Sequence, residues 1–579
     1  MKHAQFYSAV LASVATAILL ARASDGWAAF LLWAISLTLA GASLRRPSAD
    51  AAPVLPLRAD RAALGLLLGV SAFLRMYRIE QLPYGLWIDE LWTAHNAARL
   101  GSLPGFHPFG ATPLVGSMPD WVQTSNLYLY SCWLIQSAFG FTRLGVKMLS
   151  VIPAVFAAPL FYVLSRRFFG FWPSFFAGAL FAVSSWHLTL SRWGWDELFV
   201  TSAWLGAFLL LELGFQRHDR FLHFLSGLLL GLALYTYVGA RLSVVAVGAV
   251  LVVRLALSRD RTAIEATGCV ALGLVLTSVP LMTFWLQHPE QFFMRSNDIS
   301  ILPSVFAGDF RHLQNNVLLY AFMLHLRGDF DPLHHFTGDP QLDPLTGLLL
   351  LAGAALALRS WRERRSQMFV LWFAAAFAGG LFTFEAPHAY RIGSAEPACF
   401  LLAALALDAV LGAIERRSRR TLHLALVALG IAWTATAAWS FHRYFVVRPR
   451  SEACWESSRG GPALLIVERF RALRDASREV HFDQGLRSFD VEGELRLALG
   501  SFGHRNPDDY LQRIRSTAGA FWVGVDDADR VGMANSSAIF FLRTKDRGAY
   551  ASRIPDLRFW PIQNPFGTTV ALVASRVPP

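Results

Sequence analysis

The chain has 579 residues, of which 54% are hydrophobic and 16% are charged. A typical soluble domain has roughly 25% charged residues, so this composition excludes an ordinary soluble protein and predicts a polytopic membrane protein. The formal net charge of +11 does not indicate a nucleic-acid partner, because the arginines lie in short clusters between apolar runs, where membrane topology places them. The four cysteines are scattered and predict neither a disulfide framework nor a metal site.

Thirteen apolar segments approach the length of about 20 residues that a membrane-spanning helix needs. The predicted spans are 5–22, 27–44, 62–78, 145–165, 171–190, 198–215, 221–238, 242–258, 263–286, 343–358, 367–384, 394–413 and 421–441. The first segment, which follows Lys2 and precedes the sequence "ARAS", also fits a signal peptide. We predict that it is retained as a span.

Arginine clusters between the spans predict the orientation. With a cytoplasmic N-terminus, all six clusters, Arg166/Arg167 among them, fall on the cytoplasmic side, as the positive-inside rule requires. The sequence therefore predicts a multi-pass protein of the cytoplasmic (inner) membrane. Two large loops, 79–144 and 287–342, then lie on the outer, periplasmic side with the candidate functional residues.

The predicted fold class is an all-α membrane protein with a small α/β domain outside the membrane. Residues 1–60 hold two additional spans and a cytoplasmic linker, residues 61–445 form the membrane core, and residues 446–579 form the outer domain. In that domain the predicted strands are 478–482, 520–525, 538–543 and 568–574, and the predicted helix is 506–514.

The first outer loop contains two contrasting segments. Residues 101–119 are rich in Gly and Pro and are predicted to be irregular. Residues 126–140 are apolar but short, and Asn126 and Gln136 interrupt them. This pattern predicts a helix at the membrane interface.

An acidic pair, Asp89 and Glu90, follows the third predicted span in the sequence "YGLWIDELWTAHNA". Ionisable groups at membrane depth are costly and are functional-site hypotheses by default. The alternative is that both acids only mark the exit of the span into water. Trp87 and Trp92 flank the pair, and the following residues keep helical spacing. We therefore predict a half-buried helix start with a catalytic role, more strongly for Asp89.

Asp196, in "SRWGWDELF", is the second candidate acid and begins a span on the predicted outer face. Acids also suit the first turn of any helix, so capping is an alternative for Asp196 and Glu197. Arg192 lies on the outer side, against the positive-inside trend, and this position predicts an anionic partner.

Four further cationic or titratable residues occur near outer span ends: Arg241, Arg295, His388 and Arg391. Arginine is depleted at such positions, and its guanidinium matches phosphate oxygens in a bidentate manner. An anionic ligand at the outer surface would account for all four. Each could instead be a snorkelling or ion-paired residue.

The second outer loop is rich in Asp, His and Gly. Its candidate ligands for a divalent cation or a sugar are Asp329, Asp331, His334, His335 and Asp339. Their spacing matches neither an EF-hand nor a standard zinc site, and a polar loop with turns is the favoured interpretation. We therefore predict no certain cofactor and leave a divalent cation open.

Taken in order, these motifs resemble the GT-C superfamily of membrane glycosyltransferases, in the branch with protein O-mannosyltransferases and the lipid A aminoarabinose transferase (glycosyltransferase families 39 and 83). The resemblance covers roughly residues 60–445 and rests on "IDELWTAHNA", "SSWHLTLSRWGWDELF", "GLALYTYVGARL" and "PHAYRIGSAEP". It implies a GT-C fold and transfer of a sugar, with inversion, from a polyprenyl-phosphate donor to a protein, lipid or glycan acceptor.

The resemblance also implies roles for residues. Asp89 matches the catalytic carboxylate and Asp196 the second acid, whereas Arg391 and Arg241, with Arg295 and His388, would bind the donor phosphate. The predicted substrate-binding residues are Trp87, Trp92, Arg192, Tyr237 and Tyr390. The chain departs from the aminoarabinose branch at 116–126, where "GSMPDWVQTSN" has no basic residue in place of a Lys-Pro motif.

Chemistry explains why acids would stand at the membrane surface. Displacing a lipid-linked phosphate needs a base for the acceptor hydroxyl and cations for the leaving phosphate. The main alternative is a transporter or flippase of lipid-linked glycans. A transporter would place charges near mid-membrane and often show repeated halves; neither feature is evident in the sequence.

Overall fold

The computed structural model describes residues 2–22, 26–45, 58–109, 125–258, 260–457, 460–474, 480–498, 522–527 and 538–579. The chain divides into two compact units. Unit 1 comprises Met1–Tyr77, Gly105–Tyr128 and Leu149–Arg448, and unit 2 comprises Arg78–Pro104, Leu129–Met148 and Pro449–Pro579. Unit 2 thus combines parts of the first predicted outer loop with the C-terminal region.

Unit 1 is helical throughout its described part. Among the described residues, eight helices are long and apolar enough to cross a membrane: His3–Ala21, Trp27–Leu44, Arg143–Ser165, Glu197–Arg217, Val238–Ser258, Arg261–Gln287, Gly393–Arg417 and Arg419–Arg450. The remaining helices are Arg58–Met76, Phe171–Val183, Ser185–Leu190, Arg220–Ala233, Pro289–Ile299, Leu302–Phe306, Arg311–Met323, Pro344–Arg359 and Arg364–Leu381. Twelve of the thirteen predicted spans each coincide with one helix, but the number of thirteen spans stays a prediction.

One predicted span, 171–190, is wrong as a single helix. The structure has two helices, Phe171–Val183 and Ser185–Leu190, separated at Ser184. Ser184 has an extended ψ of 126°, and its Oγ accepts from the backbone N of His187. A serine that caps a new helix offers the backbone an alternative to continuing the old one, which explains the break.

Helix ends that the sequence assigns to one side of the membrane contact each other in unit 1. At the predicted cytoplasmic ends, Arg166 Nε lies 2.8 Å from Asp60 Oδ1, and Arg364 Nη2 lies 2.6 Å from Glu212 Oε1. At the predicted outer ends, Tyr390 donates to Asp196. These contacts agree with the predicted alternation of sides; which side faces the cytoplasm stays a prediction.

Unit 2 contains a five-stranded mixed sheet in the order β2-β1-β3-β5-β4. The strands are β1 Val480–Asp483, β2 Trp522–Val523, β3 Ile539–Leu542, β4 Arg558–Gln563 and β5 Thr569–Ser575. Its helices are Ile88–Ser102, Asn126–Phe139, Glu452–Glu456, Gly460–Arg474, Phe489–Ala498 and Arg547–Arg553, of which Asn126–Phe139 begins in unit 1. β1 pairs in parallel with β2 and β3, whereas β5 is antiparallel to β3 and β4.

The sheet has apolar side chains on both faces. Phe541 packs with Val467 and Phe470 of the helix Gly460–Arg474 on one face, whereas Phe540 packs with Tyr550 on the other. Successive strand residues point to opposite faces, so the run "IFFL" supplies both cores. This explains why the strand has no polar alternation.

Four predicted strands are confirmed, and one strand was missed. β4 contains Pro561, which argues against a central strand, and the structure places β4 at the edge of the sheet. The predicted helix 506–514 lies outside the described residues, as do most of the irregular segment 101–119 and nearly all of the departing motif 116–126. The predicted helix at 126–140 is observed as Asn126–Phe139.

Candidate functional site

The acidic pair of unit 2 lies in the first turn of the helix Ile88–Ser102, as predicted. Asp89 is half-buried, and Glu90 is fully buried. Glu90 Oε2 accepts a hydrogen bond from the backbone N of Trp87 at 2.8 Å. This contact is half of a capping box, so Glu90 has a structural role that accounts for its burial without catalysis.

The same helix is fixed by the C-terminal part of unit 2. Leu91 is buried against Gly493, where an added Cβ would lie 2.7 Å from Leu91 Cδ1. Glu494 accepts from the backbone N of Leu86 at 3.2 Å and pairs with Arg143 at 2.8 Å. A buried ion pair and a close helix contact therefore hold the chain directly before Asp89.

Lys147 is a buried cation of unit 2 that the sequence analysis did not single out. Its side chain is fully buried, and its Nζ lies 3.5 Å from the carbonyl oxygen of Pro83. The available signal was a lysine inside an apolar predicted span, which by itself marks a functional-site hypothesis.

Asp196 of unit 1 binds a tyrosine that belongs to an aromatic cluster. Its Oδ1 accepts a hydrogen bond from the Tyr390 hydroxyl at 2.6 Å. The Tyr390 ring lies against Trp195, with centroids 4.6 Å apart, and against Tyr237 at 5.3 Å. Removal from water disfavours the charged carboxylate and raises the pKa of Asp196 to about 6, although the Tyr390 hydrogen bond opposes the rise.

Three of the predicted residues, Asp196, Tyr237 and Tyr390, thus lie together in unit 1. The neighbouring Glu197, the first residue of the helix Glu197–Arg217, is buried, whereas Asp196 is half-buried. The alternative of a side-chain cap is not observed for Asp196, since its side chain makes no capping hydrogen bond. Its carboxylate points to Tyr390 instead.

A second polar cluster adjoins the first. Asp329 Oδ2 accepts from the backbone N of Ala389 at 2.6 Å and lies 3.1 Å from His334 Nδ1. The rings of His334 and His388 stack with centroids 4.2 Å apart, and the ring of His334 lies 5.7 Å from that of Trp195. The second outer loop therefore contacts the hairpin 385–393, which contains His388.

The surroundings of His388 are apolar and positively charged. Burial is the main cause that holds the pKa of His388 well below its ordinary value, and the charges of His334, Arg391 and Arg295 add to the effect. His388 is accordingly neutral near pH 7.

Arg391 and Arg241 differ in their partners. Arg391 pairs with Glu385 at 2.6 Å and donates to Thr383 at 3.1 Å and to the carbonyl of Phe384. Arg241 donates to the carbonyl of Phe292 at 2.7 Å and stacks on the Phe292 and Trp285 rings. Within the described residues, the salt bridges include Arg391 but not Arg241, so of these two arginines Arg391 is the one at which an incoming phosphate would compete with a carboxylate.

Arg192 binds backbone carbonyl groups. It is fully buried and donates to the carbonyls of Leu74, Arg75 and Tyr77 at 2.7–2.8 Å. These carbonyls belong to the C-terminal end of the helix Arg58–Met76, where the helix dipole is negative. The negative partner predicted for Arg192 is therefore the partial negative charge at this helix end.

A cavity of about 860 Å³ lies in unit 1. Its apolar wall includes Leu348, Leu351 and Trp439, and its polar lining includes Arg443, Arg448, His335 and Gln341. Arg443 pairs with Asp339, and Arg448 donates to the carbonyl of Pro332. The sequence analysis did not single out either arginine, although both follow the last predicted span on the outer side, where arginine is depleted.

Several polar atoms of this cavity are buried without a hydrogen-bond partner in the described part of the chain. They are Gln341 Oε1 and Nε2, His335 Nδ1, Tyr444 Oη and Arg443 Nε. Buried polar groups in proteins are almost always paired. Their residues line the cavity, and a polar ligand or water that reached these atoms would satisfy them.

No protein-family model and no curated protein matches the sequence. Among solved structures, the chain is similar to ArnT from Cupriavidus metallidurans bound to undecaprenyl phosphate, with 12% identity, a TM-score of 0.49 and coverage of 90% of this chain and 97% of that one. It is also similar to the apo Archaeoglobus fulgidus oligosaccharyltransferase, with 14% identity, a TM-score of 0.46 and coverage of 88% and 74%. At these identities and TM-scores, neither likeness assigns a function to this chain.

Proposed function

We propose that the chain is a membrane glycosyltransferase that transfers a sugar from a polyprenyl-phosphate donor to a hydroxyl of a protein, lipid or glycan acceptor. The observation that carries the proposal is the cavity beside the second outer loop. It combines an apolar wall with two arginines and unpaired polar groups. A polyprenyl phosphate has the same division, with a long apolar chain and one anionic group. The motif resemblance supports the same donor class.

In this proposal the cavity holds the prenyl chain, and Arg443 and Arg448 bind the phosphate, which replaces Asp339 as the partner of Arg443. A guanidinium binds phosphate oxygens through charge-assisted hydrogen bonds. Arg241 is kept as a second candidate, because it contacts carbonyl, hydroxyl and ring groups. Arg391 is assigned to bracing the hairpin through Glu385.

The reaction we propose is a single displacement. Asp89 removes the proton of the acceptor hydroxyl, the acceptor oxygen forms a bond to the anomeric carbon, and the bond between that carbon and the phosphate oxygen breaks. The leaving polyprenyl phosphate keeps the electron pair, and cations stabilise its charge. One displacement inverts the anomeric centre. The sequence resemblance gives Asp196, which accepts a hydrogen bond from Tyr390, the role of supporting the developing positive charge on the sugar.

The same proposal places the protein in the cytoplasmic membrane with its reaction on the outer side. A polyprenyl-phosphate donor lies with its chain in the bilayer, so its phosphate and sugar are at the membrane surface. The arginine distribution between the helices supports this orientation.

Binding of undecaprenyl phosphate to the purified full-length protein tests the lipid site. The variant Arg443→Gln should bind the lipid roughly ten- to a hundredfold more weakly, since charge-assisted hydrogen bonds contribute about 1.5–3 kcal/mol. Arg420→Gln, at the opposite end of the same span Arg419–Arg450, is the matched control and should bind normally. Weakened binding in Arg241→Gln but not in Arg443→Gln would show that the phosphate binds at Arg241 and not in the cavity.

Turnover is tested separately. Membranes that contain the protein should release free polyprenyl phosphate from polyprenyl-phosphate sugars, and membranes with the Asp89→Asn variant should not. Movement of the intact lipid-linked sugar between leaflets, without cleavage, would instead establish the transporter alternative.

A further inference from the structure

Asp329, His334 and His388 bring three potential metal-ligating atoms together in unit 1. One ligand atom from each residue lies within 4.8 Å of the others. His334 Nδ1 and Asp329 Oδ2 are 3.1 Å apart. Two ligands at about 2.0–2.1 Å from one tetrahedral zinc ion are separated by about 3.4 Å, so this pair is already close to ligand spacing.

The donor set selects the class of ion. Two imidazoles and one carboxylate suit zinc and related divalent transition metals, whereas calcium and magnesium prefer oxygen ligands. Three protein ligands leave one position of a tetrahedral ion open. Asp331 is half-exposed, and its Oδ2 lies 4.0 Å from His334 Nδ1, just outside the group of three ligand residues.

His388 supplies an independent observation. Its Nδ1 is buried and has no hydrogen-bond partner among the described residues. A buried imidazole nitrogen without a partner is costly, because it has lost water and gained nothing in return. A metal ion bound through Nδ1 would satisfy it.

Neighbouring hydrogen bonds hold the three residues in place. The backbone N of Ala389 donates to Asp329 Oδ2 at 2.6 Å, and the Tyr320 hydroxyl accepts from the backbone N of His388 at 3.1 Å. Trp193 Nε1 donates to the carbonyl of Leu333 at 3.0 Å. Partners of this kind orient ligands in metal sites, and here they hold both the loop and the hairpin.

We propose that Asp329, His334 and His388 bind one zinc-class divalent ion, which joins the second outer loop to the hairpin and leaves one position for water or an anionic oxygen. The site adjoins the Asp196 cluster, since the His388 and Tyr390 ring centroids are 6.2 Å apart. This inference goes beyond the proposed function and does not depend on it, because metal binding requires neither a sugar donor nor an acceptor.

The test uses the full-length protein, purified without a histidine tag and stripped with a chelator. Zn²⁺ content is measured by elemental mass spectrometry after addition of the ion and dialysis, and Co²⁺ binding is followed by its visible absorption. We expect one equivalent of metal and a higher melting temperature with Zn²⁺.

Substitutions identify the ligands. His334→Gln and His388→Gln should each weaken metal binding by more than about a hundredfold, because loss of an outer partner alone costs 10–100-fold. His335→Gln is the matched control, since His335 is a buried histidine of the same loop outside the ligand set. It should keep full metal content.

Two results would overturn the proposal. One is wild-type protein that retains no Zn²⁺ and shows no Co²⁺ absorption, a measurement that does not depend on whether any variant folds. The other is metal binding that is unchanged in His334→Gln and His388→Gln, or lost equally in His335→Gln. Either result would leave the His334–Asp329 contact as an ordinary hydrogen bond.

Discussion

The two candidate acids, Asp89 in unit 2 and Asp196 in unit 1, have the same sequence signal but different environments. Each follows a tryptophan-containing segment and stands at the start of a helix. Both are half-buried. Asp196 accepts a hydrogen bond from Tyr390 beside an aromatic cluster, whereas Asp89 lies next to Glu90, which caps the helix start. An acid at a helix N-terminus therefore does not by itself distinguish a base, a supporting charge and a cap.

The largest effect is expected at Asp89. Asp89→Asn should lower the rate of sugar transfer by about 10²–10⁴-fold, because removal of a general base typically costs that much. Expression and undecaprenyl phosphate binding should stay close to wild type. Release of polyprenyl phosphate from the lipid-linked sugar measures the rate. Near-normal turnover in this variant would show that Asp89 is not the general base, and Asp196 or Glu90 would then be the candidate.

A smaller effect is expected when Asp196 loses its partner. Tyr390→Phe should lower the transfer rate roughly ten- to a hundredfold, as expected for a hydrogen bond to a charged group worth about 1.5–3 kcal/mol. The Tyr390 hydrogen bond favours the ionised form, so its loss should raise the pKa of Asp196 above about 6. The acidic limb of the rate–pH profile should then move to higher pH. An unshifted limb with the same rate would show that Asp196 need not be ionised.

Substitution of Arg391 tests whether its ion pair with Glu385 stabilises the hairpin beside Asp196. Arg391→Gln should lower the melting temperature and leave undecaprenyl phosphate affinity unchanged, because the residue pairs with Glu385. Glu385→Gln should reproduce a weaker form of this loss, since Glu385 is largely exposed. A tenfold loss of lipid affinity with an unaltered melting temperature would instead support the phosphate role predicted from the sequence.

The smallest effect is expected at Glu90. Glu90→Gln keeps an oxygen that can accept from the Trp87 backbone N, so transfer activity should remain within a few-fold of wild type. Glu90→Ala removes the acceptor and should cost about 1 kcal/mol of stability, as for other helix caps. Chemical denaturation of both variants measures the difference. Loss of activity in Glu90→Gln with unchanged stability would show that the charge, and not the cap, matters.

Much of the architecture could be predicted because the period and length of apolar runs determine where helices form in a membrane protein. Twelve of the thirteen predicted spans each coincide with one helix, and four of the five strands in the described residues were predicted. The errors have local causes. Ser184 divides a continuous apolar run by capping a new helix, and Pro561 concealed an edge strand.

The sequence by itself determined which residue types were unusual for their position: acids beside tryptophans, and arginines at predicted outer helix ends. It could not determine their partners, because partners come from segments far apart in the chain. Tertiary structure paired Asp196 with Tyr390, Arg391 with Glu385, and His334 with Asp329. Burial and these pairings set whether a charge is free to bind a ligand, and both depend on packing that local patterns do not contain.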